Sequence, residues 1–487
     1  MSIPRVFRVA SRQSPARLAA VGRAGQIRRM TTHGFPETHV LFRKLTSRLP
    51  VIERGEGCWL YDADGTAYLD ACGGAYVVNV GHGIAEIADA MAEQARRLAY
   101  VSGMAFSHDP VEELAAELAA LAPGDLDKVY PLSSGSDAIE AALKLTRQYW
   151  LESGRPRKHK VIALAPAYHG NTLLALSASA REHYRKIYGD WLVDVVRIPA
   201  PYAYRCGCGG VPPYCPACSG AALEEAIIRE DPETIAAFIA EPVGGSSTGG
   251  SVPPPDYFRR VRQICDRHDV LFVADEVLVG AGRTGTWSAL EPSGVVPDVM
   301  VFGKGIAGGY APLAAVVVPT RLAEVFARGS GAFNHGQTFS HHPVLCAAGV
   351  ATIRYLRTHR LVERCAAMGP VLQRHLARLR ELPHVGDVRG RGLLAGVELV
   401  EDKDTRAPFA REARVAERLT AAALDLGLVV WPNVGHADGT RGDLVMVAPP
   451  FIITEDEITM IADRLEAAIV ASGLTTKTAS SGGLAAR

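Results

Sequence analysis

Two apolar runs, each closed by a charged residue, constrain the fold of this chain more than any other feature. The first spans residues 270–277 (VLFVADEV) and contains Asp275 near its end; the second spans residues 299–302 (VMVF) and is followed by a glycine and Lys304. Continuous apolar runs of this length are typical of strands that are buried on both faces of a parallel sheet. The pattern therefore predicts an α/β fold with Asp275 and Lys304 at strand ends.

Asp275 and Lys304 also suggest a chemistry. Burial disfavours the charged form of a lysine, and the neutral amine is a nucleophile that forms Schiff bases. A Schiff-base lysine together with an aspartate that faces a pyridinium nitrogen is the signature of pyridoxal phosphate sites. Either residue alone is weak evidence, because a lysine beside glycines is also typical of a solvated turn.

Longer segments around these two residues resemble a known family. The segments LFVADEVLVGAGRTG and VFGKGIAGGYAPLAAV are similar to the two central motifs of class III pyridoxal-phosphate aminotransferases, which include omega-amino-acid, ornithine and 4-aminobutyrate transaminases. The resemblance implies fold type I: a large α/β domain with a mainly parallel seven-stranded sheet, and a smaller α+β domain built from the N- and C-terminal segments. It also implies ping-pong transfer of an amino group from an amine donor to a keto-acid or aldehyde acceptor, through a Schiff base on Lys304 and with Asp275 as the second catalytic residue.

The same resemblance implies further contacts with pyridoxal 5′-phosphate. The segment SSGSD at residues 133–137 precedes an apolar-periodic stretch, and a helix N-terminus with small residues is suited to binding phosphate, although many helices begin in this way simply as caps. Tyr168 and Val277 are expected on opposite faces of the ring. Gly336 and Thr338 are expected to reach the phosphate of a neighbouring subunit, which implies a homodimer with shared sites, or a tetramer. The complete set of expected cofactor contacts is Ser134, Gly135, Ser136, Tyr168, His169, Gly170, Glu241, Asp275, Val277, Lys304, Gly336 and Thr338.

The substrate side departs from many family members. Those members bind the substrate α-carboxylate with an arginine two residues before an Ala-Pro-Pro segment, and Met446 occupies that position here. The resemblance suggests that Arg441 swings in for a keto acid and out for an amine, whereas the alternative is a solvated loop arginine. Tyr76 is expected either to border the substrate pocket or to pack beneath a neighbouring helix. These features favour an omega-type transaminase.

A cysteine-rich loop lies outside the family pattern. Cys206, Cys208, Cys215 and Cys218 are spaced C-x-C-x6-C-x2-C. Four thiolates can hold a structural zinc ion, but free or oxidised surface thiols are the alternative.

Composition sets broader limits. The chain has 487 residues and no formal net charge, which favours a two-domain enzyme and gives no indication of a nucleic-acid or membrane-surface partner. Nine cysteines, several of them in apolar stretches, favour a cytoplasmic location. The first 33 residues contain seven arginines and no acid, so a mitochondrial transit peptide is the alternative to a disordered leader.

The expected segments are a leader over residues 1–33, an N-terminal part of the small domain over 34–85, the large cofactor-binding domain over 86–343, the C-terminal part of the small domain over 344–472 and a disordered tail over 473–487. Local signals predict a helix over residues 138–150, an N-cap at Asp109 and a capping box from Thr454 to Glu457. An aminomutase, a decarboxylating transaminase, a racemase and a non-catalytic cofactor- or zinc-binding scaffold are the functional alternatives.

Overall fold

The computed structural model describes residues 31–474, whose largest element is a seven-stranded sheet. The strands in chain order are β1 (Thr32–His33), β2 (Leu49–Pro50), β3 (Ile52–Glu56), β4 (Trp59–Asp62), β5 (Ala67–Asp70), β6 (Leu126–Leu132), β7 (Lys160–Ala165), β8 (Val196–Pro199), β9 (Ile235–Ala240), β10 (Leu271–Asp275), β11 (Val299–Phe302), β12 (Ala314–Pro319), β13 (Val385–Arg391), β14 (Leu394–Leu399), β15 (Leu428–Val429), β16 (Trp431–Val434) and β17 (Asp443–Val447).

The helices surround these strands and connect them. In chain order they are α1 (Gly73–Tyr76), α2 (Ala85–Arg97), α3 (Asp109–Leu121), α4 (Gly135–Glu152), α5 (Leu173–Ala178), α6 (Glu182–Tyr188), α7 (Pro216–Ser219), α8 (Ala221–Arg229), α9 (Tyr257–Arg267), α10 (Thr320–Arg328), α11 (Pro343–Thr358), α12 (Leu361–Ala377), α13 (Val415–Asp425) and α14 (Glu455–Ala471).

The central sheet has seven strands in the order β6-β12-β11-β10-β9-β7-β8. All neighbours are parallel except β12, which runs antiparallel to both β11 and β6. The predicted fold class, an α/β protein with a mainly parallel seven-stranded sheet and smaller sheets beside it, is confirmed.

The central strands are apolar throughout because helices cover both of their faces. In β10, Phe272 and Ala274 pack into one core cluster, whereas Leu271 and Val273 pack into another on the opposite face. This alternation follows from the two-residue period of a strand. Since β10 and β11 are parallel neighbours, with Asp275 paired in register with Val301, their carboxyl ends lie at one edge of the sheet.

Two four-stranded sheets lie outside the central sheet. The order β13-β14-β17-β16 is antiparallel, and in the order β15-β5-β4-β3 the strand β15 from the C-terminal half pairs in parallel with β5 from the N-terminal segment. One core cluster accordingly joins Leu69 of β5 to Val397 of β14 and Leu465 of α14. The exact domain boundaries stay a prediction.

The predicted leader and tail lie largely outside the described residues. Of the leader, residues 31–33 are described, and Thr32 and His33 pair antiparallel with Pro50 and Leu49. Of the tail, only residues 473 and 474 are described. Over residues 31–474, every helix is too short or too polar to cross a bilayer.

Candidate active site

Asp275 lies at the carboxyl end of β10 and is 4% exposed. Its Oδ2 lies 2.7 Å from Nδ1 of His169, and its Oδ1 accepts a hydrogen bond from the backbone N–H of Val277 at 3.1 Å. His169 is also buried, and its Nε2 has no hydrogen-bond partner among residues 31–474. A buried unpartnered polar atom is unusual in a protein core and is found more often where a ligand binds. The Asp275 carboxylate is thus oriented by His169 and held out of water.

Lys304 follows β11 in a single 3-10 turn that spans Lys304–Ile306. Its backbone φ is +45°, a conformation that is uncommon for residues other than glycine and that persists where the surrounding structure enforces it. Burial lowers the pKa of its amine, Arg181 lowers it further, and the negative charges of Asp275 and Glu241 oppose that shift. The lysine is therefore held close to two carboxylates while its charged form is disfavoured.

The N-terminus of α4 lies at the same edge of the sheet. The side chain of Ser134 caps the helix by accepting from the backbone N–H of Asp137 at 3.2 Å. Ser136 Oγ accepts from the backbone N–H of Asn171 at 3.0 Å, so this serine also anchors the loop that carries His169. The helix runs from Gly135 to Glu152, and its first N–H groups and dipole suit an anion.

Val277 packs between the turns that carry Gly135 and Gly303. A Cβ at Gly135 would lie 2.9 Å from Val277 Cγ1, and a Cβ at Gly303 would lie 3.0 Å from the same atom. Gly170 approaches α4 as closely, since a Cβ there would lie 2.7 Å from Ser136 Oγ, and its φ is +145°. Glycine is therefore required for these loops to approach one another.

Glu241 follows β9 and is 8% exposed. Its carboxylate accepts from the backbone N–H of Tyr168 at 3.3 Å and from that of Gly245 at 3.1 Å. Burial, reinforced by the nearby charge of Asp275, raises the pKa of Glu241 to about 7, although His169 and the two backbone donors oppose the shift. Glu241 thus fixes the loop of Tyr168 and can change charge near neutral pH.

An apolar cluster borders Lys304 on its other side. Tyr76, whose φ is +65°, lies with its ring centroid 5.9 Å from Lys304 Nζ and 5.8 Å from the ring of Trp431. Burial raises the pKa of Tyr76, and its hydroxyl is 3.4 Å from Nδ2 of Asn433. Leu278 and Met446 belong to the same cluster. The position at which many family members have an arginine is thus part of a buried apolar cluster.

The sequence did not indicate Arg181, which the structure brings to this site. Its guanidinium carbon lies 4.7 Å from the centroid of the Tyr168 ring, and the same group donates to Ser246 Oγ and, at 3.1 Å, to Asn433 Oδ1. Arg181 is half-buried and precedes α6, with no motif around it. Only the tertiary contacts identify it.

Arg441 does not enter the site in this conformation. It lies in the loop between β16 and β17, its side chain is 51% exposed, and its Nε donates to Oδ2 of Asp438 at 2.7 Å. The loop also contacts α6, where Lys186 donates to Thr440. The swinging role of Arg441 stays a prediction.

Gly336 and Thr338 are both exposed on the described chain. Gln337, which lies between them, donates to Ser133 Oγ at 2.8 Å and to Asp137 Oδ2 at 2.7 Å. The segment therefore lies beside the N-terminus of α4 in its own subunit, and its predicted contact with a partner's cofactor stays a prediction.

The four loop cysteines lie together in space. Their Sγ atoms are all within 4.8 Å of one another, and Cys218 is the most buried of the four. The sequence spacing therefore corresponds to one cluster in space.

The residues at this edge fit pyridoxal 5′-phosphate in three respects. A buried carboxylate, that of Asp275, is available for a pyridinium nitrogen, and a helix N-terminus is available for a phosphate. Lys304 provides an amine whose pKa is lowered, between an apolar wall and two carboxylates. The unpartnered Nε2 of His169 lies in the same region.

Comparison with known proteins agrees with this geometry. The family model for class III aminotransferases matches residues 43–469. The chain belongs to the class III aminotransferases. This family uses pyridoxal 5′-phosphate to transfer amino groups, so the chain is an aminotransferase that takes an amino donor and a keto-acid acceptor.

Relatives of this aminotransferase come from several lineages. An uncharacterised aminotransferase of Schizosaccharomyces pombe is 38% identical over 440 residues, which cover 90% of this chain and 96% of the relative. A putrescine–pyruvate aminotransferase of Pseudomonas aeruginosa is 36% identical, over 84% of this chain and 88% of the relative. An (S)-enantioselective omega-transaminase from Thermomicrobium roseum, whose crystal structure is known, is 38% identical in sequence to this chain. Its structure matches with a TM-score of 0.81, and the match covers 87% of this chain and 92% of that one.

Proposed function

We propose that this aminotransferase is an omega-type enzyme that takes a terminal amine as donor and a keto acid as acceptor, in two half-reactions of a ping-pong cycle. The observation that carries this proposal is Met446, which is fully buried in β17 beside Tyr76 and Leu278. A planar carboxylate is bound best by the paired N–H groups of an arginine. An apolar side chain in place of that arginine favours a donor that carries no α-carboxylate.

The residues that would hold the cofactor are those predicted from the resemblance. Asp275 would pair with the pyridinium nitrogen, Tyr168 and Val277 would contact opposite faces of the ring, and the backbone N–H groups at the start of α4 would bind the phosphate. When bound, pyridoxal phosphate supplies an electron sink for the donor carbon. The contribution of Asp275 is a carboxylate in a fixed orientation, since its Oδ2 lies 2.7 Å from Nδ1 of the buried His169.

Lys304 would carry the cofactor and then move the proton. The transfer requires a base at the donor carbon, and an amine whose pKa is lowered is more often in the neutral form that can take up a proton, and returns that proton more readily, than an ordinary lysine. The neighbouring carboxylates of Asp275 and Glu241 limit that lowering. Lys304 Nζ is therefore the atom that we propose to hold the proton in both half-reactions.

The acceptor needs a cationic partner for its carboxylate. The first candidate is Arg441, which must exchange its ion pair with Asp438 for a contact inside the pocket. The second candidate is Arg181, which already contacts Tyr168 and Asn433 beside the apolar cluster. We favour Arg181 for a keto acid bound in the described conformation and Arg441 for one bound after the loop moves.

We further propose a homodimer with shared sites and a cytoplasmic location. Gly336 and Thr338 are exposed on the described chain and so are accessible to a second subunit. All nine cysteines are unpaired, which is typical of a reducing compartment. Aminomutase and racemase activities use the same motifs and are outcomes of the experiment below.

The proposal is tested by single half-reactions of the purified holoenzyme. Donors are added one at a time, and conversion of the cofactor to its amine form is followed by absorbance; terminal amines are compared with α-amino acids of equal chain length. We expect terminal amines to react and Lys304→Ala to slow the reaction by roughly 10²–10⁴-fold, the usual contribution of a general base. Reaction with α-amino acids alone would refute the omega-type proposal, and absence of any conversion would favour the mutase, racemase or scaffold alternatives.

The two arginine candidates are separated by the second half-reaction. Arg181→Gln and Arg441→Gln are compared with Arg328→Gln, which changes an exposed arginine that pairs with Glu324 on α10. The residue that binds the acceptor carboxylate raises the KM for pyruvate when it is replaced, by a larger factor than the replacement slows the reaction with a terminal amine. The two effects are compared as a ratio, because Arg181 also lowers the pKa of Lys304. An unchanged KM for pyruvate in both variants would contradict both roles.

A further inference from the structure

The cysteine-rich loop has the geometry of a metal centre. Cys206 Sγ lies 3.6 Å from Cys208 Sγ and 3.4 Å from Cys218 Sγ, and Cys208 Sγ lies 3.4 Å from Cys215 Sγ. Zinc–sulfur bonds of about 2.3 Å at tetrahedral angles place sulfur atoms about 3.8 Å apart. All four sulfur atoms lie within 4.8 Å of one another, so a single ion can reach each of them with small adjustments.

The backbone holds the four ligands in two tight turns. In the first turn, the N–H of Cys206 donates to the carbonyl of Tyr202 at 2.8 Å, and the N–H of Gly209 donates to the carbonyl of Cys206 at 3.3 Å. In the second, Cys215 is the N-cap of α7, and its carbonyl accepts from the N–H of Ser219 at 2.9 Å. Each turn presents two thiols toward the other.

The remaining cysteines show that this clustering is specific to the loop. The other five are buried, and none of them belongs to a group of three or more possible metal ligands among residues 31–474: Cys58, Cys72, Cys265, Cys346 and Cys365. Three of the four loop cysteines are only half-buried, and Val211, which lies between the two turns, is 62% exposed. The loop therefore has little apolar surface of its own with which to fix its conformation.

We infer that Cys206, Cys208, Cys215 and Cys218 bind one structural zinc ion in each chain. Four thiolates favour zinc over harder cations such as magnesium or calcium, and a closed set of four protein ligands is typical of a structural rather than a catalytic site. Binding zinc displaces the protons of the thiols to solvent and needs no oxidant or reductant. The inference does not depend on the substrate proposed above.

The position of the loop indicates what the zinc would stabilise. Arg205, next to the first ligand, contacts the buried carboxylate of Glu398 in β14, and Tyr202 donates its hydroxyl proton to the same carboxylate. Arg389 contacts Glu398 and Tyr202, and its Nε donates to the carbonyl of Thr248 at 2.8 Å. Thr248 lies in the loop that follows Glu241. Zinc binding would thus hold the cysteine-rich loop against the four-stranded sheet that contains β14. Through Arg389, it would also hold the cysteine-rich loop against the loop after Glu241, which forms one wall of the active site.

The test measures metal in the holoenzyme purified without a metal-affinity tag. We expect about one zinc per chain by elemental analysis, and cobalt substitution to give the charge-transfer and d–d absorption of tetrahedral thiolate coordination. Cys215→Ala should lose most of the zinc, whereas Cys346→Ala, which changes a buried thiol outside the loop, should retain it. Thermal unfolding of the two variants, measured with and without a chelator, should be chelator-sensitive for Cys346→Ala only.

Several results would overturn the inference. These are iron in place of zinc, less than about a tenth of an equivalent of zinc, equal zinc in both variants, or two disulfides found by mass spectrometry after alkylation of the unreduced protein. If Cys215→Ala does not fold, the wild-type holoenzyme still decides the question, because a mercurial reagent should release zinc in step with modification of four thiols. Release of zinc without that modification would also refute the site.

Discussion

Glu398→Gln is the substitution whose effect follows most directly from the contacts. Glu398 is fully buried in β14, its Oε1 lies 3.1 Å from His436 Nε2, and its Oε2 lies 2.7 Å from an N–H group of Arg389. Arg205 and Tyr202 contact the same carboxylate. Although burial alone would raise it, the neighbouring side chains of Arg389, His436 and Arg205 hold the pKa of Glu398 well below its usual range. One carboxylate therefore pairs with two arginines from separate segments, Arg389 and Arg205.

The expected cost is large because the substitution leaves buried cations without their anion. Breaking a buried ion pair by removing one partner costs about 3–5 kcal/mol. The entropy of unfolding for a chain of 487 residues is roughly 1 kcal/mol per kelvin near the midpoint, so Tm should fall by about 3–5 °C. Urea unfolding at pH 7 and calorimetry of the holoenzyme both measure this loss.

The matched control is Glu113→Gln. Glu113 pairs with Arg354 at 2.8 Å, but both side chains are about half exposed, and such surface pairs contribute at most about 1 kcal/mol to stability.

The sign of the pH dependence of the Glu398 contribution is also fixed. Because the folded-state pKa of Glu398 is lowered, its contribution is present above the unfolded pKa of 4.5 and is lost as the pH falls below that value. Equal destabilisation by the two substitutions at pH 7, or a difference that grows below pH 4.5, would refute the reasoning.

Two further predictions concern Glu276, the buried residue after Asp275, and Gly135 at the start of α4. Burial raises the pKa of Glu276 from 4.5 to about 7, so the wild type should lose stability as the pH rises from 4.5 to about 7. Over that window, the free energy of unfolding of Glu276→Gln in urea should gain up to roughly 3 kcal/mol relative to that of the wild type. A difference between variant and wild type that is the same at pH 5 and pH 8 would count against the shift. Gly135→Ala places a Cβ 2.9 Å from Val277 Cγ1, so it should lower the free energy of unfolding by about 1–3 kcal/mol and weaken the retention of pyridoxal phosphate on dialysis. The control Gly189→Ala should be close to neutral, because no atom lies within 4 Å of a Cβ there. Equal retention of the cofactor in both variants would contradict a close fit at α4.

Local patterns predicted local structure well. The capping box of Thr454 and Glu457 is confirmed at the start of α14, because both of its hydrogen bonds depend only on residues three apart. The predicted N-cap of α3 is wrong by one position: the side chain of His108, not Asp109, accepts from the backbone N–H of Val111. The predicted helix over residues 138–150 is longer at both ends, since Gly135 already has helical geometry.

Contacts between distant segments were not predictable in this way. The apolar runs before Asp275 and Lys304 carry a strand signal, and parallel neighbours in one sheet bring their carboxyl ends to the same edge. Arg181 carries no such signal, because its partner Asn433 is 252 residues away. The cysteine spacing indicated one cluster, but the link from Arg205 to Glu398, 193 residues apart, is visible only in the fold.

This difference explains why the family is clear from the sequence while the substrate is not. Apart from Gly336 and Thr338, the predicted cofactor contacts lie at or just after strand ends of the large sheet and at the start of α4, where residue type and local pattern decide their position. The wall opposite them is formed by Tyr76, Trp431 and Met446 from both ends of the chain, together with the loop after Glu241. That loop is held by Glu241 on one side and by Arg389 on the other, and Gly396 of β14 lies so close to Gly249 that a Cβ there would be 2.4 Å from the Gly249 carbonyl oxygen. The sheet that contains β13 and β14 therefore determines where this wall lies. Donor selectivity accordingly depends on packing between segments that no single motif contains.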